Sequence, residues 1–407
     1  MRFASLTGRL IGLGSHKWAV HHEGTRRAQA GQDQIFLSIG EPDLPPPAAV
    51  VHAAVASLQG GRTRYSSGQG EPAAREAIAA HLTRRSGLPV AASQVVCMAG
   101  TQQALFCAMS TVAEAGDEVL VADPYYATYE GVVAATGATL VPVRTRPEDG
   151  FHLTAEALER AVTPRSRVLL LNSPGNPTGA VLGRPEVEAI GEVCARHDLW
   201  LVCDEVYADL DFSGTFCSPF DLAALRDRSV SLSSISKSHA LPGFRSGWAA
   251  GPTELAPRLT LIAETMMFGG QPFLNDALVV ALRQQHPEVT LLRQTFADRA
   301  ETVVRALAGS AAVRVRMPEG GMFVMADVRA TGLTGEQFAW RLLDEQGVVV
   351  MPGESFGAGG AGHVRLAMTV EADRMAQACR RIDRLASELV AREPLSAAGR
   401  SAGAEPA

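Results

Sequence analysis

Ser229–Gly247 reads SVSLSSISKSHALPGFRSG. Val230 and Leu232 alternate with serines, the two-residue period of a strand, and the run stops at Ser234-Ile235-Ser236-Lys237. Leu241-Pro242-Gly243 breaks regular structure, and Arg245-Ser246-Gly247 leads into a second short run, Trp248-Ala249-Ala250. A lysine thus stands at a strand end among hydroxyls, with an arginine eight positions later. Ser-x-Ser-Lys alone means little. The lysine and arginine together suggest a ligand at a sheet edge.

The same rhythm extends in both directions. Upstream, strands are predicted at Gln94–Met98, Glu118–Ala122, Thr139–Val143, Arg167–Leu171 and Trp200–Cys203, followed by Val230–Ser233 and Gly247–Ala250. Helices are predicted between them at Gln103–Ala113, Tyr129–Ala135, Thr154–Ala161 and Pro185–His197. Strands alternating with helices of this length form βαβ units: a mostly parallel sheet with helices on both faces, hence an α/β fold. Downstream, one long helical stretch (about Asn275–Leu307) precedes strands at Val313–Met317, Gly321–Asp327, Val348–Met351 and His363–Ala367 and helices at Gly335–Gln346 and Ala372–Ala391. This second set reads as a smaller α/β domain. The expected division is 46–290 for the large domain, 1–45 with 291–391 for the small one, and 392–407, rich in Ala, Gly, Ser and Pro, as a disordered tail.

With 407 residues the chain exceeds the usual size of one domain. A net charge of −6 without basic runs argues against a nucleic-acid partner, and no apolar stretch reaches membrane length. Six cysteines without a CxxC pair suggest core thiols in a reducing, cytoplasmic compartment, and no metal-ligand spacing appears.

Ligands of parallel α/β sheets sit beyond the carboxyl ends of the strands. Met98 leads to Ala99-Gly100-Thr101-Gln102, a turn with free N–H groups and a hydroxyl before a helix. Ala122 leads to Asp123-Pro124-Tyr125-Tyr126, and Leu171 to Asn172-Ser173-Pro174-Gly175-Asn176-Pro177-Thr178-Gly179. The strand LVCDEVY delivers Asp204 and Tyr207, and an acid closing an apolar strand calls for a cation. Taken singly, most of these would be ordinary turns or core residues. Together they suit a ligand with an aldehyde for Lys237, a phosphate, a planar ring and a ring nitrogen wanting an anion. Pyridoxal 5′-phosphate (PLP) has all four.

NPTG, DEVY, SxSKxxxxPGxRxG and the late His363-Val364-Arg365-Leu366, in this order, resemble the class I aminotransferases of PLP fold type I over about residues 1–390. Runs such as Val95–Leu105, SKSHA at 236–240 and GGMFVM at 320–325 are most similar to a bacterial member whose donor is L-arginine and whose acceptor is pyruvate, so these are the expected substrates. That member is similar from its own first residues, so the N-terminus is read as mature. The resemblance implies that Lys237 holds the cofactor and moves protons, and that Asp204 faces the ring nitrogen. It implies that Tyr207 and Asn176 bond the phenolic oxygen and that Tyr126 stacks on the ring. Gly100, Thr101, Gln102, Ser234 and Arg245 would hold the phosphate, with Ser236 weaker because strand alternation turns it away. Arg365 and Gly40 would bind the substrate carboxylate, Asn176 is also counted among the substrate-binding residues, and Arg64-Tyr65 implies a homodimer in which Tyr65 reaches the neighbour's phosphate. Another donor (aspartate or an aromatic amino acid) and another PLP reaction such as elimination remain open. No residue identifies itself as the reader of the substrate side chain, although Glu41, Asp43 and Glu354 lie in plausible segments.

Overall fold

The computed structural model describes residues 1–398. Among the described residues thirteen strands form three sheets: β1 (Ile35–Phe36), β2 (Val95–Met98), β3 (Glu118–Asp123), β4 (Thr139–Arg144), β5 (Ser166–Asn172), β6 (Trp200–Asp204), β7 (Ser229–Ser234), β8 (Gly247–Ala250), β9 (Arg314–Val315), β10 (Phe323–Asp327), β11 (Val348–Val349), β12 (Met351–Pro352) and β13 (His363–Ala367). The central sheet has the order β2-β8-β7-β6-β5-β3-β4. All its pairings are parallel except those of β8, which runs antiparallel to β7 and β2. Strands β3, β5 and β6 are apolar on both faces because both are covered, whereas β7 alternates Val230 and Leu232 with buried serines. Helices Gly100–Val112 and Leu255–Met267 bury one face with Leu105, Met109 and Leu259. Helices Ala155–Ala161 and Arg184–Arg196 bury the other with Leu158, Ile190 and Val193.

The reversal of β8 brings three strand ends together. Its first residue, Gly247, pairs with both Ser234 and Met98, the last residues of β7 and β2. All three strands therefore contribute to one edge.

The smaller sheet, β12-β13-β10-β9, is antiparallel and packs on helices Pro287–Leu307, Gly335–Gln346 and Ala372–Ala398 through Phe296, Phe338, Leu342 and Leu366. Tyr207 and Leu210, just past the carboxyl end of β6, join this second core. The expected strand Val348–Met351 is divided: β11 pairs in parallel with β1, and β12 pairs with β13. The N-terminal stretch also divides. Helix Ala19–Gln29 lies on β11, whereas helix Ser5–Leu10 lies on Tyr129–Thr136, where Arg9 donates to the carbonyls of Ala134 and Ala135.

Two expectations fail locally. The single helix over Asn275–Leu307 is two, Pro272–Arg283 and Pro287–Leu307, because Pro287 lacks an N–H and its ring disfavours helical backbone at His286. The last helix runs past Ala391 to Ala398, so 392–398 of the expected tail are helical; 399–407 lie outside the described residues. Helices Ala48–Gln59, Pro72–Ser86 and Leu255–Met267 add to those expected from the sequence.

Candidate active site

Between the carboxyl edge of the central sheet and the smaller sheet lies a cavity of about 460 Å³. Thr101, Gln102, Tyr126, Asn176, Asp204, Tyr207, Ser234, Ser236, Lys237, Arg245, Gly40 and Arg365 all line it. Tyr65 does not: it is 86% exposed and stacks edge-on against Phe268 with ring centroids 5.4 Å apart. Gly100 is not a lining residue but lies against one, Arg245.

Asp204 ends β6 in a buried position. Its Oδ2 accepts from the Tyr129 phenol at 2.9 Å and its Oδ1 from the Val206 N–H at 3.3 Å. Burial raises its pKa to about 6, and the Tyr129 hydrogen bond opposes this only in part. Asn172, at the end of β5, ties the neighbouring backbone: its Nδ2 donates to the Asp204 carbonyl and its Oδ1 accepts from Asn176 N–H at 2.7 Å.

Lys237 follows β7. Its Nζ donates to the Gly40 carbonyl at 2.5 Å. Burial lowers its pKa to about 8, with Glu41 opposing. Ser236 is a correction. β7 ends at Ser234 and Ile235–Ser238 turn into a short helix, so strand alternation no longer applies and Ser236 faces the cavity.

Arg245 and Gly100 meet across the edge. Arg245 has left-handed backbone (φ 49°) and reaches the Ala99 carbonyl at 3.2 Å. A Cβ at Gly100 would stand 2.5 Å from Arg245 Nη2. Only glycine lets the guanidinium approach the N-terminus of helix Gly100–Val112 this closely. Thr101 Oγ1 and Ser234 Oγ are hydrogen-bonded at 3.0 Å beside them. Helix N-terminus, two hydroxyls and a guanidinium make an anion seat. The Gln102 side chain is exposed and accepts from Thr128 at 3.2 Å.

The roof comes from the smaller sheet. Arg365 in β13 is 2% exposed, sandwiched between Phe323 and Phe356 with ring centroids 4.1 and 4.6 Å from its guanidinium carbon. Nη1 donates to Asn176 Oδ1 at 2.9 Å and Nη2 to the Ser38 carbonyl, while the buried Nε has no partner among the described residues. Burial lowers its pKa to about 10. Tyr207 packs edge-on against Phe323, and burial raises its phenol pKa.

Sequence reading missed Tyr129, Asn172, Trp18 and Phe323. Of the three acids placed near the substrate side chain, Asp43 is held by Arg299 and Glu354 by the backbone N–H groups of Gly335 and Gly362. Glu41 lines the cavity and has no hydrogen-bond or ion-pair partner among the described residues.

An amine, a buried acid and an anion seat thus lie on the carboxyl edge of this sheet, roofed by a buried arginine. The chain belongs to the class I and II aminotransferases, whose family profile matches residues 32–382. It is 44% identical over 390 residues to the arginine–pyruvate transaminase AruH of Pseudomonas aeruginosa, covering 96% of this chain and 99% of that one. It is 33% identical over 370 residues to the aspartate/prephenate aminotransferase of Thermus thermophilus, covering 90% and 94%. The solved aspartate aminotransferase from Thermus thermophilus with maleate superposes with a TM-score of 0.89 at 31% identity, covering 95% of this chain and all of that one. The chain is an aminotransferase, in a family and fold that generally use PLP.

Proposed function

We propose that this aminotransferase moves the α-amino group of L-arginine to pyruvate, with PLP held through Lys237. The donor set suits that cofactor. The Gly100–Arg245 contact leaves no room for a Cβ, so the guanidinium and the helix N-terminus lie close enough that both would meet one bound anion. The Arg365 Nε is a buried donor awaiting an acceptor. Arg245, Ser234, Ser236, Thr101, Gln102 and the Gly100 turn would hold the phosphate, Asp204 the ring nitrogen, and Tyr126 a ring face. Bound there, PLP supplies the electron sink for the substrate's Cα–H bond.

The protein's own part follows from the geometry. With a pKa near 8, Lys237 is partly neutral at neutral pH, so its amine can attack a carbonyl and accept a proton at Cα. Asp204 offers a buried negative charge, which steadies a protonated ring nitrogen. Tyr207 and Asn176 would donate to the ring's phenolic oxygen. Arg365 would exchange the Ser38 carbonyl for the substrate α-carboxylate beside Gly40, a planar two-pronged grip that argues against decarboxylation.

The 44% identity to the arginine–pyruvate transaminase carries the choice of donor. Glu41 supports it: exposed at the cavity, it makes no hydrogen bond or ion pair among the described residues and feels only an electrostatic pull from Lys237, so it can offer an acid to a cationic side chain. Aspartate or an aromatic amino acid is the alternative, favoured by the aspartate/prephenate relative. We further propose a cytoplasmic homodimer in which the exposed Tyr65 reaches the neighbour's phosphate. The proposed domains are 46–290 and 1–45 with 291–391. Among the described residues no helix is long and apolar enough to cross a membrane.

An amino-donor panel tests the assignment. Arginine should exceed citrulline at least tenfold in kcat/KM, the scale of leaving an acid unpaired, about 2–4 kcal/mol for tighter sites. Glu41→Gln should remove most of that preference and leave alanine within about twofold. If aspartate or phenylalanine outperforms arginine, the donor assignment is wrong and the aminotransferase assignment remains.

A further inference from the structure

The backbone carbonyls of Ser38, Ile39 and Gly40 each accept a hydrogen bond from a side chain: Arg365 Nη2, Thr369 Oγ1 at 2.9 Å and Lys237 Nζ at 2.5 Å. Two of these donors are the site's cations. Ile39, Gly40 and Glu41 also line the cavity. Residues 38–43 are irregular backbone with no ladder to fix them. Upstream the strap is pinned where Leu37 bridges Val349 and Ala367, and where the Ser38 hydroxyl meets His21 at 2.8 Å.

Downstream the pin is Asp43. Arg299, 5% exposed on helix Pro287–Leu307, donates to both Asp43 oxygens at 2.7 and 2.8 Å. Its Nη1 also donates to the Met368 carbonyl at 2.9 Å. Met368 follows β13, which carries Arg365, and precedes Thr369, which holds Ile39. One guanidinium therefore couples the far end of the strap to the strand carrying Arg365. A planar fork fixes both distance and angle, which a lysine cannot do.

We infer that Arg299 is a positioning residue for the reaction: through Asp43 and the Met368 carbonyl it fixes the strap carrying Gly40 against the strand carrying Arg365, and so sets Gly40 and Arg365 for the substrate α-carboxylate. This rests on the proposed roles of Lys237 and Arg365 and is independent of which amino acid is the donor. Donor and acceptor share little besides the α-carboxylate. A displaced strap must weaken both alike.

The test uses holoenzyme carrying Arg299→Met, Arg299→Lys or Asp43→Asn, so that one misfolded variant leaves two others to read. KM for pyruvate and for the best donor should rise by the same factor, about tenfold, with kcat within about threefold and Arg299→Lys intermediate. Binding of 2-methylalanine, which has no α-hydrogen to lose, should weaken by that factor when followed through the cofactor absorbance. Unchanged KM values and 2-methylalanine affinity, with only the melting temperature lowered, would overturn the inference, as would a rise in one KM alone. Arg365→Lys separates the two claims. If it also leaves 2-methylalanine binding intact, the role of Arg365 is wrong; if it weakens binding while the Arg299 variants do not, only the positioning claim fails.

Discussion

Asp204 and Glu205 are neighbours in the chain and both buried, yet they live in opposite conditions. Glu205 faces away from the cavity and is surrounded: Arg85 at 2.8 Å, Ser231 at 2.7 Å and the Ser218 hydroxyl, with Arg85 also gripping Asp221. Asp204 has one phenol and one long backbone contact. Burial raises the pKa of both, but Glu205 has a guanidinium against it and Asp204 has a cavity. A complete polar network holds a structure together. An incomplete one at a cavity wall is held in place by its surroundings for a partner that comes and goes.

Substitutions along β6 and its surroundings can break this contrast. The largest effect belongs outside it: Lys237→Ala should lose transamination by several orders of magnitude, since nucleophile and proton carrier vanish together. Residual cofactor should then wash out on gel filtration. Asp204→Asn should lower kcat by about two to three orders of magnitude, roughly 3–4 kcal/mol of barrier, while cofactor content falls far less.

The same substitution carries a pH signature in cofactor-free protein. The folded state keeps a proton on Asp204 that the unfolded chain releases, because the folded pKa is raised to about 6. That contribution is full below about pH 4 and lost as pH rises through about 6, about 3 kcal/mol in all. Denaturant titrations across this window should show the slope in the natural protein and not in Asp204→Asn.

Glu205→Gln should do the reverse, costing about 3 kcal/mol of stability with little change in kcat once folded. Equal losses of activity from both substitutions would dissolve the contrast. Tyr129→Phe is the smallest step, removing the one side-chain hydrogen bond to Asp204 among the described residues. It should cost about 1.5–2 kcal/mol of transition-state stabilisation, near twentyfold in kcat, without matching Asp204→Asn.

The sheet is legible in the sequence because most of its strands are short apolar runs closed by a polar or turn residue, β7 being an alternation of serines with Val230 and Leu232, and the ligand edge follows from its parallel direction. Residues at strand ends, such as Asp204 and Lys237, can be placed that way. Tyr129 cannot: it opens a helical stretch, and only tertiary packing turns its phenol onto Asp204. Glu41 and Asp43 look equivalent in Gly40-Glu41-Pro42-Asp43, and what separates them is Arg299, more than 250 residues away. Ser236 is misread when a strand period is carried past Ser234, where the strand stops. Arg365 shows in the sequence as a polar residue inside an apolar strand, but its aromatic sandwich does not.

The antiparallel course of β8 governs how the site tolerates change. The chain leaves the edge at Ser234 and returns to it at Gly247 without crossing the sheet, so the amine of Lys237 and the guanidinium of Arg245 are separated by a loop of fixed length. Their spacing is written into the covalent chain. Core substitutions that shift helices by fractions of an ångström leave it alone, whereas a single insertion or deletion between Ser238 and Phe244 would change the span itself. Variation in this connection should therefore exchange side chains and conserve length.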